Sequence, residues 1–169
     1  MNKDFREMLS AFSKGGVEFL VVGAYALSAH GYTRATGDID VFVRAEKQNA
    51  ERVMRALRSF GAPLHGLTIR DLCDRETVLQ LGVPPFRIDV LTGISGVTFD
   101  EAWSSRVAAK LGGVQVHVLS LEALAQNKAA AGRPKDALDL EIIRGFLKQR
   151  ATPSKTPPKP KRVPPRRKS

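Results

Sequence analysis

Two acids one residue apart, Asp38 and Asp40, carry the most chemical information in this chain. They lie in Asp38-Ile39-Asp40-Val41-Phe42-Val43, whose alternation reads as a β-strand. Side chains two apart on a strand share a face, so both carboxylates project one way while Ile39, Val41 and Val43 project toward a core. Their charges then stand roughly 7 Å apart, and at an effective dielectric of about 20 they repel by about 2.4 kcal/mol. Water can absorb that repulsion, in which case the sheet simply has a wet acidic face. A divalent cation between the carboxylates absorbs it equally well. Asp89 bears on the choice: Phe86-Arg87-Ile88-Asp89-Val90-Leu91 alternates in the same manner, with Phe86, Ile88 and Val90 directed inward and the acid outward. If the two strands pair, three carboxylates converge, a hard-oxygen set suited to Mg²⁺ or Mn²⁺ and not to zinc. Gly23-Ala24 adds a second feature, following a buried strand and leading into a helix. Glycine there permits close backbone approach, and a helix start offers free N–H groups to phosphate. The same unit is also an ordinary tight turn.

Other candidates fail on spacing. Gly61 to Gly66 with Leu67-Thr68 has the length of a P-loop but lacks its lysine and follows a helix. Gly93-Ile94-Ser95-Gly96 is one residue short of a nucleophile elbow. His30, His65 and His117 have no metal-type spacing, and Cys73, with no neighbouring histidine, reads as a buried thiol. Trp103 and Phe99 read as packing a short helix onto the sheet.

The elements that must position the acids follow from periodicity. Phe5, Met8, Leu9 and Phe12 form the stripe of an amphipathic helix that closes at Gly15-Gly16. A buried strand is expected over 17–22, a short helix over 25–30, an irregular stretch over 32–37 and the acidic strand over 38–43. A helix over 46–60 stops at Gly61-Ala62-Pro63. Strands over 77–81 and 86–91 flank the breaker Gly82-Val83-Pro84-Pro85, and another strand covers 114–118. Ser120 is placed to cap the next helix, Gly132 to end it, and Pro134 to open the last one, which runs to Lys148. This order predicts an α/β (α+β) fold, a mixed β-sheet with flanking helices.

Val22-Gly23-Ala24, then thirteen residues, then Asp38-Ile39-Asp40-Val41 resembles the signature of the DNA polymerase β-like nucleotidyltransferase superfamily. Its third acid comes from a later strand, the position of Asp89. The longer string Gly23-Ala24-Tyr25-Ala26 to His30-Gly31-Tyr32-Thr33-Arg34-Ala35-Thr36-Gly37-Asp38 is similar to a small bacterial branch that includes abortive-infection toxin nucleotidyltransferases. Lys128 to Asp139 resembles that branch's third motif. Ala24 stands where the family carries Gly or Ser, which leaves only a backbone N–H at that point.

The resemblance implies a nucleotidyltransferase-like fold over residues 1–150 and a metal-dependent transfer of NMP from an NTP. Asp38, Asp40 and Asp89 would be the metal ligands and catalytic acids. Gly23, Ala24, Arg34, Thr36, Lys128 and Arg133 would bind the nucleotide, with Asp136 orienting Lys128 or Arg133. Read without the family, Lys128 is a plain surface lysine, Arg34 a solvated loop residue, and Lys135 with Asp139 an i, i+4 ion pair. The acceptor would be a hydroxyl of RNA, such as tRNA, or of protein, with the chain the toxin of a pair that includes a cognate antitoxin protein. Two alternatives are a small-molecule, antibiotic-type adenylyltransferase and a catalytically silent nucleotide- or RNA-binding scaffold.

Composition bounds these readings. At 169 residues with 43% hydrophobic content the chain can bury a core. Its net charge of +10 belongs largely to residues 151–169, which hold seven Lys and Arg, no acid, and six of the ten prolines. Such a segment cannot bury enough surface to order itself, so it is expected to be a disordered arm. It either contacts RNA phosphates in a salt-sensitive way or serves as a solubilising extension. One cysteine excludes an internal disulfide. The start lacks a signal-peptide pattern, and the longest apolar run is nine residues against the about 20 of a membrane span, so a cytoplasmic protein is expected.

Overall fold

The computed structural model describes residues 1–151. The expected disordered arm therefore lies outside the described residues, apart from Ala151. The sheet has six strands: β1 (Phe19–Val22), β2 (Asp38–Val43), β3 (Val78–Val83), β4 (Phe86–Leu91), β5 (Val107–Leu111) and β6 (Val114–Val118), in the order β3-β4-β2-β1-β6-β5. β1 runs antiparallel to β2 and parallel to β6, while β2 runs parallel to β4. The hairpins β3–β4 and β5–β6 close the two flanks. Among the described residues seven helices accompany the sheet: α1 (Lys3–Lys14), α2 (Gly23–Ala29), α3 (Lys47–Phe60), α4 (Ile69–Cys73), α5 (Phe99–Ser104), α6 (Leu121–Ala131) and α7 (Pro134–Ala151). The expected mixed sheet with flanking helices is what forms.

Local chemistry explains most of the boundaries. Asn2 accepts from the Asp4 N–H at 2.7 Å, and the stripe of Phe5, Met8, Leu9 and Phe12 that follows is fully buried. Such a stripe supplies the burial that a short helix lacks on its own. β1 is buried along all four residues because it lies in the middle of the sheet. In β2, Ile39, Val41 and Val43 are all closed to solvent, as the alternation requires. Phe42, on the acidic face, is buried too, under the ring of Phe99 at 5.0 Å. Trp103 stacks on Phe99 in turn, so this pair does pack a short helix onto the sheet.

Several expectations change. The helix after Gly23 begins at Gly23 itself, and β3 runs on through Gly82-Val83, because Gly82 pairs with Arg87 and Val83 with Phe86 in the hairpin ladder. α4 and β5 are additions. The first carried a readable mark, a capping box in which Thr68 and Asp71 satisfy each other's backbone N–H. Phe86 is half exposed (51%) against Phe5 instead of buried, since it lies at the hairpin turn. Cys73 is partly open at the end of α4. His30 ties the end of α2 to the Leu119 carbonyl at 2.8 Å. Among the described residues no helix is long and apolar enough to cross a membrane.

Candidate active site

Strand register assembles the acids. β2 and β4 pair in parallel with Asp40 opposite Asp89 and Asp38 opposite Arg87, while across the antiparallel β1–β2 ladder Asp40 stands opposite Val22. The turn at Gly23 consequently presses against Asp40: a Cβ built there would lie 2.3 Å from Asp40 Oδ2, and the backbone has φ +64°. Glycine is required on both counts. Asp89 is buried, at 6% exposure, and Asp38 and Asp40 are half-buried. Burial raises the Asp40 carboxyl above its ordinary value, the charges of Asp89 and Asp38 push it further, and Lys135 and Arg133 pull it back in part.

Arg87 belongs to this group and escaped the sequence reading. Its Nε and Nη2 donate to the two oxygens of Asp89 at 2.7 and 2.9 Å, and Nη2 reaches Asp38 Oδ2 at 3.3 Å. Its position two residues before Asp89 on one strand was the available signal, since i and i+2 share a face.

Opposite the acids stands a cationic wall from α6 and α7. Ser120 caps α6 through the Ala123 N–H, and Leu121, Leu124 and Lys128 follow at i, i+3 and i+7 on its buried face. Lys128 is thus not a surface lysine: it is 5% exposed, and Nζ donates to Asp136 Oδ1 at 2.7 Å and Asp139 Oδ2 at 2.9 Å. Arg133 holds the other Asp136 oxygen at 2.6 Å, and Arg34 reaches Asp139 at 3.2 Å, so Arg34 is not simply a solvated residue. Burial pushes the Asp136 carboxyl up, yet the hydrogen bonds from Arg133 and Lys128 outweigh it and hold it below the usual aspartate range. The Lys135–Asp139 pair does not form, because Asp139 is taken by Lys128 and Arg34; Lys135 is exposed and lines the cleft. Thr36 spends its hydroxyl locally, donating to the Asp38 carbonyl and accepting from the Asp38 N–H, which fixes the entry to β2.

Both walls line one cleft of about 560 Å³, which includes Gly23, Ala24, Arg34, Thr36, Asp38, Asp40, Asp89, Lys128 and Arg133. Asp136 lies behind the wall. A basic wall faces an acidic one.

Over residues 1–155 the sequence matches a family described as nucleotidyl transferase of unknown function (DUF2204). The chain belongs to this nucleotidyl transferase family. It is an enzyme of the nucleotidyl-transfer class, in line with the superfamily resemblance. No curated protein matches the sequence of this nucleotidyltransferase. Its fold is similar to that of a nucleotidyltransferase, TM1012, from Thermotoga maritima, with a TM-score of 0.55 at 17% identity over 86% of this chain and 91% of that one. It also resembles the lincosamide antibiotic adenylyltransferase LnuA in a lincomycin-bound structure, with a TM-score of 0.56, 13% identity, and 86% and 98% coverage. ANT(2'')-Ia in complex with adenylyl-2''-tobramycin gives 0.51 at 16% identity over 88% and 97%.

Enzymes of this class use a divalent metal with the nucleotide. The nucleotidyltransferase offers the donor chemistry for one: Asp38 and Asp40 supply hard oxygens, and Asp40 carries the excess charge that a cation would offset. The acids do not stand as a finished cage. Among the described residues no cluster of three or more His, Cys, Asp or Glu is gathered to hold an ion, and both Asp89 oxygens are engaged by Arg87.

Proposed function

We propose that this chain transfers a nucleoside monophosphate from a nucleoside triphosphate to a hydroxyl in the cleft between the acidic strands and α6–α7. The observation that supports it is the register that sets Asp40 beside Asp89 and against Gly23, across one cleft from Lys128 and Arg133. Asp38 and Asp40 would hold a divalent cation, Mg²⁺ or Mn²⁺, with Asp89 as a further ligand. A bound cation of this kind neutralises phosphate charge and polarises the phosphoryl oxygens. The chain's own residues bind and orient. The backbone N–H groups at Gly23 and Ala24, with Lys128, Arg133 and Arg34, receive the triphosphate, and Thr36, whose hydroxyl is engaged with Asp38, holds the entry to the acidic strand. Asp136 aims Lys128 and Arg133. A bond forms from the acceptor oxygen to the α-phosphorus, the bond from that phosphorus to its bridging oxygen breaks, and pyrophosphate leaves. The hydroxyl proton passes to the Asp89 carboxylate, which keeps lone pairs beyond those that Arg87 uses.

Two readings of the acceptor follow. The basic residues of 151–169 favour RNA, while a protein hydroxyl in a toxin–antitoxin setting rests on the family resemblance alone. The likeness to LnuA and ANT(2'')-Ia, whose structures hold lincomycin and adenylyl-2''-tobramycin, favours a small molecule. With α-labelled nucleotides and Mg²⁺, wild type is expected to label an acceptor, and Asp40→Asn to lower the rate by about 10²-fold or more, the scale of a lost charge-stabilising group. Undiminished transfer by Asp40→Asn would sink the proposal.

A further inference from the structure

A second cleft, of about 490 Å³, lies next to the first and shares with it only Gly93, Ile94 and Ser95. The same face of β2 floors both: Asp38 and Asp40 line one, and Phe42, the next residue on that face, lines the other. Along a strand that step is roughly 7 Å. The partition is the segment Gly93-Ile94-Ser95-Gly96, and α6 anchors it through hydrogen bonds. Gln126 Nε2 donates to the Gly96 carbonyl at 2.6 Å and Asn127 Nδ2 to the Ser95 carbonyl at 3.0 Å. A Cβ on Gly96 would strike Ala130 at 2.5 Å, so the segment sits directly on the helix. The helix that carries Lys128 thus also builds the wall between the two clefts.

Their electrostatics differ. The first cleft presents Arg34, Arg133 and Lys135 to an anion. In the second, Arg44 is already spent: it bonds Glu18 and Asp100 and lies 4.6 Å from the centre of the Phe99 ring. The rest of its mouth carries Glu46 and Glu76 against Arg75, over an apolar floor of Phe42, Ile94 and Val97. A polyphosphate gains nothing there, and a nucleic-acid backbone meets carboxylates. A cleft of this volume with an apolar floor and a few polar groups suits a small molecule.

We infer that the second cleft holds the acceptor, a small uncharged or amine-bearing hydroxyl compound of one to three rings, whose reacting oxygen reaches past the Gly93–Ser95 partition toward Asp89. The inference rests on the nucleotidyl-transfer reading above and selects its small-molecule branch. The same bond change applies: acceptor oxygen to α-phosphorus, pyrophosphate released, proton to Asp89.

The test uses the full chain with Mg²⁺, α-labelled nucleotides and three kinds of acceptor: aminosugars and amino alcohols, neutral oligosaccharides, and total RNA. Ala45→Trp fills the second cleft, and Glu76→Lys reverses an exposed charge at its mouth with little risk to folding. Label is expected in a small acceptor, with its KM raised at least tenfold by Ala45→Trp, raised by Glu76→Lys for amine-bearing compounds, and nucleotide KM unchanged in both. Nucleotide bound with no small acceptor labelled, label entering RNA alone, an acceptor KM that neither variant moves, or a raised nucleotide KM each overturns the assignment. Absence of Mg²⁺-dependent nucleotide binding in wild type would instead defeat the parent reading.

Discussion

Asp40 is flanked on one side by Asp89, on the same strand by Asp38, and on the other side by the backbone at Gly23, and the charges of Lys135 and Arg133 offset only part of the negative charge gathered there. Burial and the two neighbouring charges raise its pKa, so the ionised form costs the folded state free energy at neutral pH. Removing that charge relieves the cost. Asp40→Asn is therefore expected to melt about 2–4 °C higher than wild type in the absence of divalent cations, the shift of about 1 kcal/mol in a chain of this size. Added Mg²⁺ should raise the melting temperature of wild type, because it binds the folded state alone, and leave the variant unmoved. A variant that melts lower than wild type would show that Asp40 is not under charge strain. The role proposed for this residue opposes stability.

The pairing of α6 with α7 depends on buried charge. Lys128 lies between Asp136 and Asp139, with Arg133 on the other Asp136 oxygen and Arg34 sharing Asp139 Oδ2 with Lys128, so the helix pair is locked by an ion cluster as well as by Leu121, Leu124 and Ile143. Removing one member of a buried cluster leaves uncompensated charge, at about 3–5 kcal/mol. Lys128→Met is expected to lose that much in urea unfolding, and adding Asp139→Asn should restore part of it; strict additivity of the two would show that they do not interact. The pH dependence follows from Asp136. Its folded pKa is depressed, so its contribution is present above the ordinary aspartate value of about 3.9 and is lost as pH falls through the lower folded value. Stability measured from about pH 6 down to about pH 2 should fall in that window and fall less in Asp136→Asn.

At the scale of the whole molecule, most of the net positive charge is concentrated in the last nineteen residues of the sequence. The seven basic residues of 151–169 lie outside the described residues. Deleting 152–169 should leave nucleotide binding intact and, if the arm contacts phosphates, reduce RNA retention and flatten its salt dependence, checked by filter binding over a salt series. Local periodicity determined much of the architecture. Alternation in 38–43 and 86–91 placed Asp38, Asp40 and Asp89 on the polar faces of their strands, and glycines, prolines and caps bounded most helices, because such patterns depend on near neighbours alone. Strand order and helix docking depend on contacts far apart in sequence. Arg87 meets Asp38 across 49 residues, and Arg34 meets Asp139 across 105. No local pattern records such partners. Only the tertiary structure set Asp89 beside Asp40, gave Arg87 to Asp89, buried Lys128 between two aspartates, and opened a second cleft on the same face of β2.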